Sequence, residues 1–478
     1  MNRLPLCVEC DGTLIRTDLL HESIFLLLKK SPFAILLLPF WLLRGKAYLK
    51  QKIAAHVDID AASLPYNVAF LAYLQQEKST GRRLVLATAS ARPYAEAVAR
   101  HLNLFNAVYA TEGCINLSSR RKAARLEQVF GASGFVYAGN AKPDLHVWKR
   151  AAGAILVDTP NFVSQRAREL CVITGEFKSI RPTLITYLKA MRLHQWLKNV
   201  LVVVPLLTAH RFTEINLLTD TVLAFLAYGL CASSVYLLND LLDLAADRAH
   251  PRKRKRPFAS GDLPLQHGVI LIPILLLSAL AIAAVLPIKF ALVLAAYYLT
   301  TLAYSLWLKN RVMVDVILLA ALYTFRIVAG AAATGIAPSF WLLAFSMFMF
   351  LSLAMVKRYA ELQSVLKQNK TSAAGRGYHI DDLPLLASMG SASGYLSILV
   401  MALFVNSEDV HKLYAQPTLL WLVLPLLLFW ISRIWMKTHR GEMHDDPVVF
   451  AARDRTSLIV VVLIALVFGA ASGGWSAR

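Results

Sequence analysis

Asn239, Asp240, Asp243 and Asp247 fall in one short stretch, VYLLNDLLDLAADRAHPRKRKRPFASG (235–261), where a long apolar run ends. If the stretch is helical, at about 100° per residue the four side chains share a single arc of about 100°. Three carboxylates on one arc beside a bilayer repel one another and are costly to keep ionised unless a cation neutralises them. Magnesium suits such a site, because it takes a few carboxylates, keeps waters and shares its remaining positions with substrate phosphates. Arg248, Arg252, Lys253, Arg254, Lys255 and Arg256 follow at once, so metal-bridged carboxylates and direct cations would converge where a pyrophosphate could lie. The bland alternative is a solvated helix end followed by a basic anchor. Four metal-type ligands on one arc exceed what an anchor requires.

The elements that must position these residues follow from composition. The chain has 478 residues, 57% hydrophobic and 17% charged, with mean hydropathy +0.52. It is too long for one ordinary domain and too apolar to lie wholly outside lipid. Its formal charge of +20 could suggest nucleic acid, but the Lys and Arg cluster between apolar spans, which points to lipid headgroups and phosphorylated substrates and not to nucleic acid. Five cysteines, Cys7, Cys10, Cys114, Cys171 and Cys231, are too few and too irregular for a disulfide framework. Cys7 and Cys10 form a C-x-x-C with no second pair to complete a zinc site. Glu9, Asp11 and Arg16 interrupt the first apolar stretch, so no cleavable signal peptide is expected.

The pattern changes near residue 180. Before it, short apolar runs such as LVLAT (84–88) and FVYAG (135–139) alternate with polar helical segments such as PYAEAVARHL (93–102), the α/β pattern of buried parallel strands and crossover helices. IFLLLKKSPFAILLLPFWLL (24–43) is the exception. Lys29, Lys30 and Pro32 break it into stretches too short to span, predicting a helical hairpin at 22–50 that packs on or dips into the membrane surface. From Met191 onward nine spans are expected, at 197–210, 217–239, 265–286, 290–308, 313–334, 339–356, 389–405, 417–436 and 457–475. The loops after spans two, four, six and eight hold about 17 Lys and Arg and the intervening loops about three, which puts the former loops and the N-terminal domain in the cytoplasm.

N-D-x-x-D-x-x-x-D at the end of the second of nine spans resembles the UbiA superfamily of intramembrane prenyltransferases, over roughly residues 185–475. Within it the motifs are most similar to the branch that makes decaprenyl-phosphate 5-phosphoribose. These are R-x-x-Q-W-x-K-N (Arg192, Gln195, Trp196, Lys198, Asn199), HPRKRKRPFASG, YSLWLKNRVMVDV (304–316), FRIVAGAAA (325–333), KRYAEL (357–362) and DPVVFAARDR (446–455). Aromatic-acceptor members usually carry a second motif, D-x-x-x-D, after span six. Here that loop begins KRYAEL and has only Asp381 and Asp382 further on, which favours phosphoribosyl transfer.

The resemblance implies a 5-phosphoribose 1-diphosphate donor, a long polyprenyl phosphate acceptor, and Mg2+ as cofactor. It also implies a multi-pass protein of the bacterial inner (plasma) membrane, with its active site on the cytoplasmic side, serving cell-wall biogenesis. Asn239, Asp240, Asp243 and Asp247 would be catalytic, the three aspartates holding the metal. Lys198, Arg254, Arg256, Lys309, Lys357 and Arg358 would contact phosphate, with Arg192, Asp315, Arg326, Asp446 and Asp454 also at the substrate. Arg326 stands out because a charge a dozen residues into a span is expensive. Asp315 would bond ribose hydroxyls or pair with Lys309. A homo-oligomer is left open.

VECDGTLIRTD (8–18) resembles the first motif, D-x-D-G-T, of the haloacid dehalogenase superfamily, and Thr88, Lys122 in SSRRKAAR, and Asn140 and Asp144 in YAGNAKPD (137–144) follow as its later motifs. The resemblance implies a Rossmann-like α/β domain with Asp11 as acid/base, Lys122 on the phosphate and Asp144 near magnesium. Glu9 replaces the family's nucleophile and Asn140 an acidic residue. One added methylene moves a carboxylate by about 1.5 Å, and a 1 Å misplacement can cost on the order of a hundredfold, so a weak or lost phosphatase is expected. An active one would act on the 5-phosphate of the lipid product. The expected organisation is a haloacid dehalogenase-like domain at 1–178, a linker or amphipathic lead-in at 179–195, and an all-α membrane transferase domain at 196–478. Two other functions stay open, aromatic prenyl transfer as in quinone synthesis (4-hydroxybenzoate polyprenyltransferase-like) and a non-catalytic membrane scaffold.

Overall fold

The computed structural model describes residues 4–113, 115–178, 182–367, 377–443 and 446–473, so Cys114 lies outside the described residues. The chain packs as two compact units, Met1–Met191 with Tyr236–Leu271, and Arg192–Val235 with Ile272–Arg478. The segment that carries the aspartates therefore packs with the N-terminal residues.

In the first unit six parallel strands, β1 (Leu6–Val8), β2 (Leu84–Ala91), β3 (Ala107–Thr111), β4 (Val136–Gly139), β5 (Gly153–Val157) and β6 (Val172–Phe177), form one sheet in the order β3-β2-β1-β4-β5-β6. The apolar runs expected as strands are β2 and β4, and helix Arg92–Leu102 is the expected crossover helix. Strand side chains alternate between two cores, one built on Leu6, Val8, Leu84 and Leu86, the other on Cys7, Val85, Tyr137 and Trp148. Strand order reverses between β1 and β4. Residues just beyond the carboxyl ends of these two strands, Glu9 to Gly12 and Asn140, thus flank the crevice where doubly wound sheets hold ligands.

Helix α1 (Leu19–Lys30) leaves this crevice. Asp18 caps it by accepting from the Leu20 and His21 amides at 2.9 and 3.1 Å. Lys29 and Lys30 end it, and Pro32 starts a 3₁₀ turn, Pro32–Leu36, followed by helices Leu38–Leu43 and Lys46–Ala54. Phe33, Leu36, Phe40 and Leu43 are exposed on this insert.

Among the described residues, seven of the nine expected spans coincide with helices long and apolar enough to cross a bilayer: Ile215–Leu242, Leu265–Ala283, Ile288–Leu306, Val314–Thr334, Phe340–Leu366, Ile380–Val405 and Pro417–His439. The last expected span is Arg455–Ala471, 17 residues long. The first is not one α-helix. Leu193–Val203 is 3₁₀-helical and only Val204–Thr208 is α-helical, because Pro205 has no N–H to give to an α-helical ladder and stands in the first turn of the new helix. Gly330 of helix Val314–Thr334 lies so near the Val202 carbonyl that a Cβ would be 1.9 Å from its oxygen, so glycine alone permits this packing.

Candidate active site

The aspartate stretch does not form one continuous helix. Ile215–Leu242 stops before Asp243, and a six-residue helix, Leu244–Ala249, begins after it. Aspartate competes with the backbone in a helix interior and favours such ends. The single arc is thereby broken. Asp240 and Asp247, both buried, converge on the Arg256 guanidinium at 3.0 and 2.6 Å, whereas Asp243 pairs with Lys29 at 2.7 Å. Asn239 is half-buried and its carbonyl accepts the Asp243 amide at 2.9 Å. Burial, reinforced by the Asp240 charge, raises the Asp247 carboxyl above its ordinary range against the pull of Arg256. Among the described residues no three acidic, histidine or cysteine side chains are grouped as a metal site. The pair Asp240 and Asp247 is what the fold brings together. Arg254 lies exposed in the turn after this helix.

Of the residues expected for phosphatase chemistry, Glu9, Asp11, Lys122, Asn140 and Asp144, but not Thr88, line a cavity of about 580 Å³ whose wall also includes Gly261, Asp262 and Gln266. Their hydrogen bonds are closed inward. Glu9 Oε1 accepts from the Cys10 amide at 2.9 Å, and its Oε2 meets the Lys122 ammonium and the Tyr137 hydroxyl. The Tyr137 hydroxyl, with one hydrogen to give, also lies 2.9 Å from Asp144 Oδ1, and Asp144 Oδ2 accepts the Asn140 and Ala141 amides, each at 3.0 Å. Burial lowers the Lys122 pKa and raises that of the Tyr137 hydroxyl. Asp11 stands apart from this network, accepting from the Ser90 hydroxyl at 2.5 Å and from the Leu19 amide at 2.9 Å. Thr88 is fully buried and accepts the Ser90 amide at 3.1 Å. Gly12, at φ +70°, lies so close to Asn140 that a Cβ would be 2.1 Å from its amide nitrogen.

In the second unit a different polar cluster forms. The Lys198 ammonium is 2.6 Å and the Lys357 ammonium 3.3 Å from Asp446, which also accepts the Tyr323 hydroxyl at 2.9 Å. Arg326 is buried, donates to Asn199 Oδ1 at 3.1 Å, and lies over the rings of Tyr228, Tyr297 and Tyr323 at 5.2 to 5.6 Å. That ring cage explains how a span carries a guanidinium.

Other expected site residues have structural partners. Asp315, fully buried, is held by Arg358 at 2.7 Å and by the Tyr378 hydroxyl at 2.6 Å, and Arg358 also meets Glu361. Asp454 caps helix Arg455–Ala471 through Ser457 and takes both Arg433 nitrogens, at 2.6 and 3.0 Å, which lowers its carboxyl to about 2. Arg192 starts the 3₁₀ segment with a left-handed backbone, and Lys309 lies half-buried in the turn before helix Val314–Thr334. Sequence reasoning missed Glu22, Lys29, Tyr137, Tyr323 and Tyr378 as partners. Only Lys29, a charge inside an otherwise apolar stretch, carried a signal.

Residues 200–453 match the UbiA prenyltransferase family, and residues 9–147 match the haloacid dehalogenase-like hydrolases. The chain is 39% identical over 473 residues to the uncharacterized protein y4nM of Sinorhizobium fredii, covering 98% of this chain and 90% of that protein. The nodulation protein NoeC of Azorhizobium caulinodans is 35% identical over 59% of this chain and 92% of its own length. A decaprenyl-phosphate phosphoribosyltransferase of Mycobacterium tuberculosis is 32% identical over 60% of this chain and 94% of its own length.

Proposed function

Because the chain belongs to the UbiA prenyltransferase family and carries an N-terminal haloacid dehalogenase-like domain, we propose that this multi-pass membrane transferase moves 5-phosphoribose from 5-phosphoribose 1-diphosphate to a polyprenyl phosphate, releasing pyrophosphate. The observation that carries the reading is the 32% identity to a decaprenyl-phosphate phosphoribosyltransferase over 94% of that relative's length. The concentration of Lys and Arg in alternate loops supports a plasma-membrane protein with the hydrolase-like domain in the cytoplasm.

Breaking the bond from the ribose anomeric carbon to pyrophosphate leaves oxocarbenium character on the sugar and charge on the leaving group. Fixed cations are therefore the main need. Asp240 and Asp247, hard oxygen donors already drawn to one positive charge, would hold Mg2+, with Asn239 and Asp243 beside them. The raised Asp247 carboxyl fits this role, since a divalent cation would offset the cost of burying its charge, which is what chiefly raises it, as well as the repulsion from Asp240. When bound, the metal would stabilise charge on the departing pyrophosphate. Arg254 and Arg256 supply direct cations in the first unit, Lys198 and Lys357 do so for a substrate phosphate in the second, and Arg326 orients Asn199. A polyprenyl phosphate oxygen is already anionic, so no side chain need act as a general base.

The hydrolase-like cavity is read as a crippled phosphatase. Glu9, Lys122, Tyr137 and Asp144 satisfy one another, and position 140 offers no charge for a metal. Incubating purified protein with labelled 5-phosphoribose 1-diphosphate and polyprenyl phosphate, and separately with labelled isoprenyl diphosphate and 4-hydroxybenzoate, tests the assignment. Label should enter lipid from the first mixture. Product only from the second would replace the reading with aromatic prenyl transfer, and product from neither would leave the scaffold.

A further inference from the structure

The segment bearing Asp240, Asp243 and Asp247 has little regular structure of its own beyond the turn at Asp243. After the break at Asp243 only six residues, Leu244–Ala249, are helical, far below the roughly 12–15 at which an isolated helix becomes marginally stable in water. What braces it comes from residues 16–29. Glu22 takes Arg248 in a bidentate pair at 2.5 and 3.1 Å, and both side chains are nearly inaccessible. Thr17 donates to Glu22 at 2.7 Å, and Arg248 Nε donates to the Ala259 carbonyl at 2.9 Å, so the pair is locked from both sides. One helical position before Arg248 is Asp247, on Arg256.

Two further pairs extend the brace. Lys29, at the end of α1, takes Asp243, and Arg16 reaches Asp262 at 3.1 Å, where Gly261 at φ +76° has no room for a Cβ beside the Arg16 backbone. The three pairs run in antiparallel order, 16 with 262, 22 with 248, and 29 with 243. A bidentate guanidinium pair fixes direction as well as distance, so Glu22 sets the angle at which Leu244–Ala249 leaves the break.

We propose that Glu22 and Lys29 of the hydrolase-like domain are positioning residues for the transferase carboxylates. Glu22 orients Asp247 through Arg248. Lys29 neutralises Asp243, so that Asp240 and Asp247 act as the pair. The inference rests on the reading of those two as magnesium ligands. It gives the hydrolase-like domain work in the transfer reaction that needs no phosphatase chemistry of its own.

The test uses purified full-length protein as wild type, Glu22→Gln, Lys29→Met, and the double exchange Glu22→Arg with Arg248→Glu. Amide hydrogen exchange across 243–249 should rise at least about tenfold in Glu22→Gln, stay unchanged in the helix Phe340–Leu366, and return to within about threefold of wild type in the double exchange. Mn2+ affinity, read by electron paramagnetic resonance without substrate, should weaken about tenfold in Glu22→Gln and less in Lys29→Met. KM for 5-phosphoribose 1-diphosphate should rise by a similar factor, with kcat within about threefold. Wild-type exchange and Mn2+ affinity in Glu22→Gln would overturn the proposal. Absence of Mn2+ binding in the wild type would overturn the metal reading and the proposal with it. Tight Mn2+ binding that depends on Glu22, in a protein that does not use the ribosyl donor, would uphold the positioning and sink the donor assignment alone.

Discussion

The Lys198 ammonium lies 2.6 Å from the Asp446 carboxylate, joining residues 248 positions apart in the chain. Burial alone would raise the Asp446 carboxyl, but Lys198 and Lys357 outweigh it and hold the group well below the usual carboxylate range. Two ammonium groups against one carboxylate leave a net positive charge for a phosphate.

Asp446→Asn should therefore destabilise the protein by about 3 kcal/mol, because it strands the buried Lys198 ammonium without its counter-charge, while the partly exposed Lys357 adds little. Lys198→Met should raise the KM of a phosphate substrate at least about tenfold while sparing the fold. Thermal unfolding and steady-state kinetics separate the two. Equal melting temperatures for Asp446→Asn and wild type would exclude the stabilising role.

Asp240→Asn and Asp247→Asn should each lower transfer by at least about a hundredfold, since each removes one of the two carboxylates that converge on Arg256. Asp243→Asn should cost less, because its carboxylate is already paired with Lys29. Near-normal turnover in Asp247→Asn, with Mg2+ still required, would end the assignment.

Phosphate release from a generic phosphomonoester should be near background in the wild type and little improved by Glu9→Asp, because the Tyr137 hydroxyl still bridges position 9 and Asp144. Combining Glu9→Asp and Asn140→Asp with Tyr137→Phe should raise it at least about tenfold. Rapid release by the wild type, abolished in Asp11→Asn, would show Glu9 to be a working nucleophile.

Asp11 gives a pH dependence. Burial, and then the Asp18 charge, push its carboxyl up to about 7 against the Ser90 hydroxyl, which favours the charged form. An acid whose folded pKa exceeds its unfolded one binds more protons when folded, so the contribution of Asp11 to stability is greatest below about pH 4, falls as pH rises toward 7, and stays lowered above that. Wild-type Tm should fall more between pH 5 and 8 than that of Asp11→Asn, which keeps an acceptor for the Leu19 amide. Parallel Tm curves would refute the shift.

For topology, a cysteine introduced near Lys255 should be shielded from impermeant maleimide in intact cells and one near Asp409 should be labelled. The companion position at Lys370, also expected inside, lies outside the described residues. Labelling at 255 but not 409 would invert the orientation.

Much of this was legible in the sequence because it rests on local pattern. Short β-rich apolar runs marked β2 and β4, and long ones marked seven spans. The run of aspartates marked the helix end. The break at Asp243 was not legible, since neither glycine nor proline stands there and the polar spacing continues across it. Pro205 was visible, but hydropathy does not register a missing N–H, so 197–210 read as one helix. Pairs such as Lys29 with Asp243, 214 positions apart, or Arg358 with Asp315 leave no trace in spacing. Asp454 shows the converse. Motif placement suggested a substrate contact, while the geometry is that of a helix cap tied to Arg433.

The first unit is discontinuous, with Tyr236–Leu271 completing what Met1–Met191 begins. During synthesis, at about 5–20 residues per second, the N-terminal sheet emerges whole, while the partners of Arg16, Glu22 and Lys29 are still unmade. Those three side chains stay solvated until the intervening stretch 192–235 has been delivered. Completion of the N-terminal unit therefore waits on the synthesis of 192–235, and a chain halted before residue 271 would lack part of that unit.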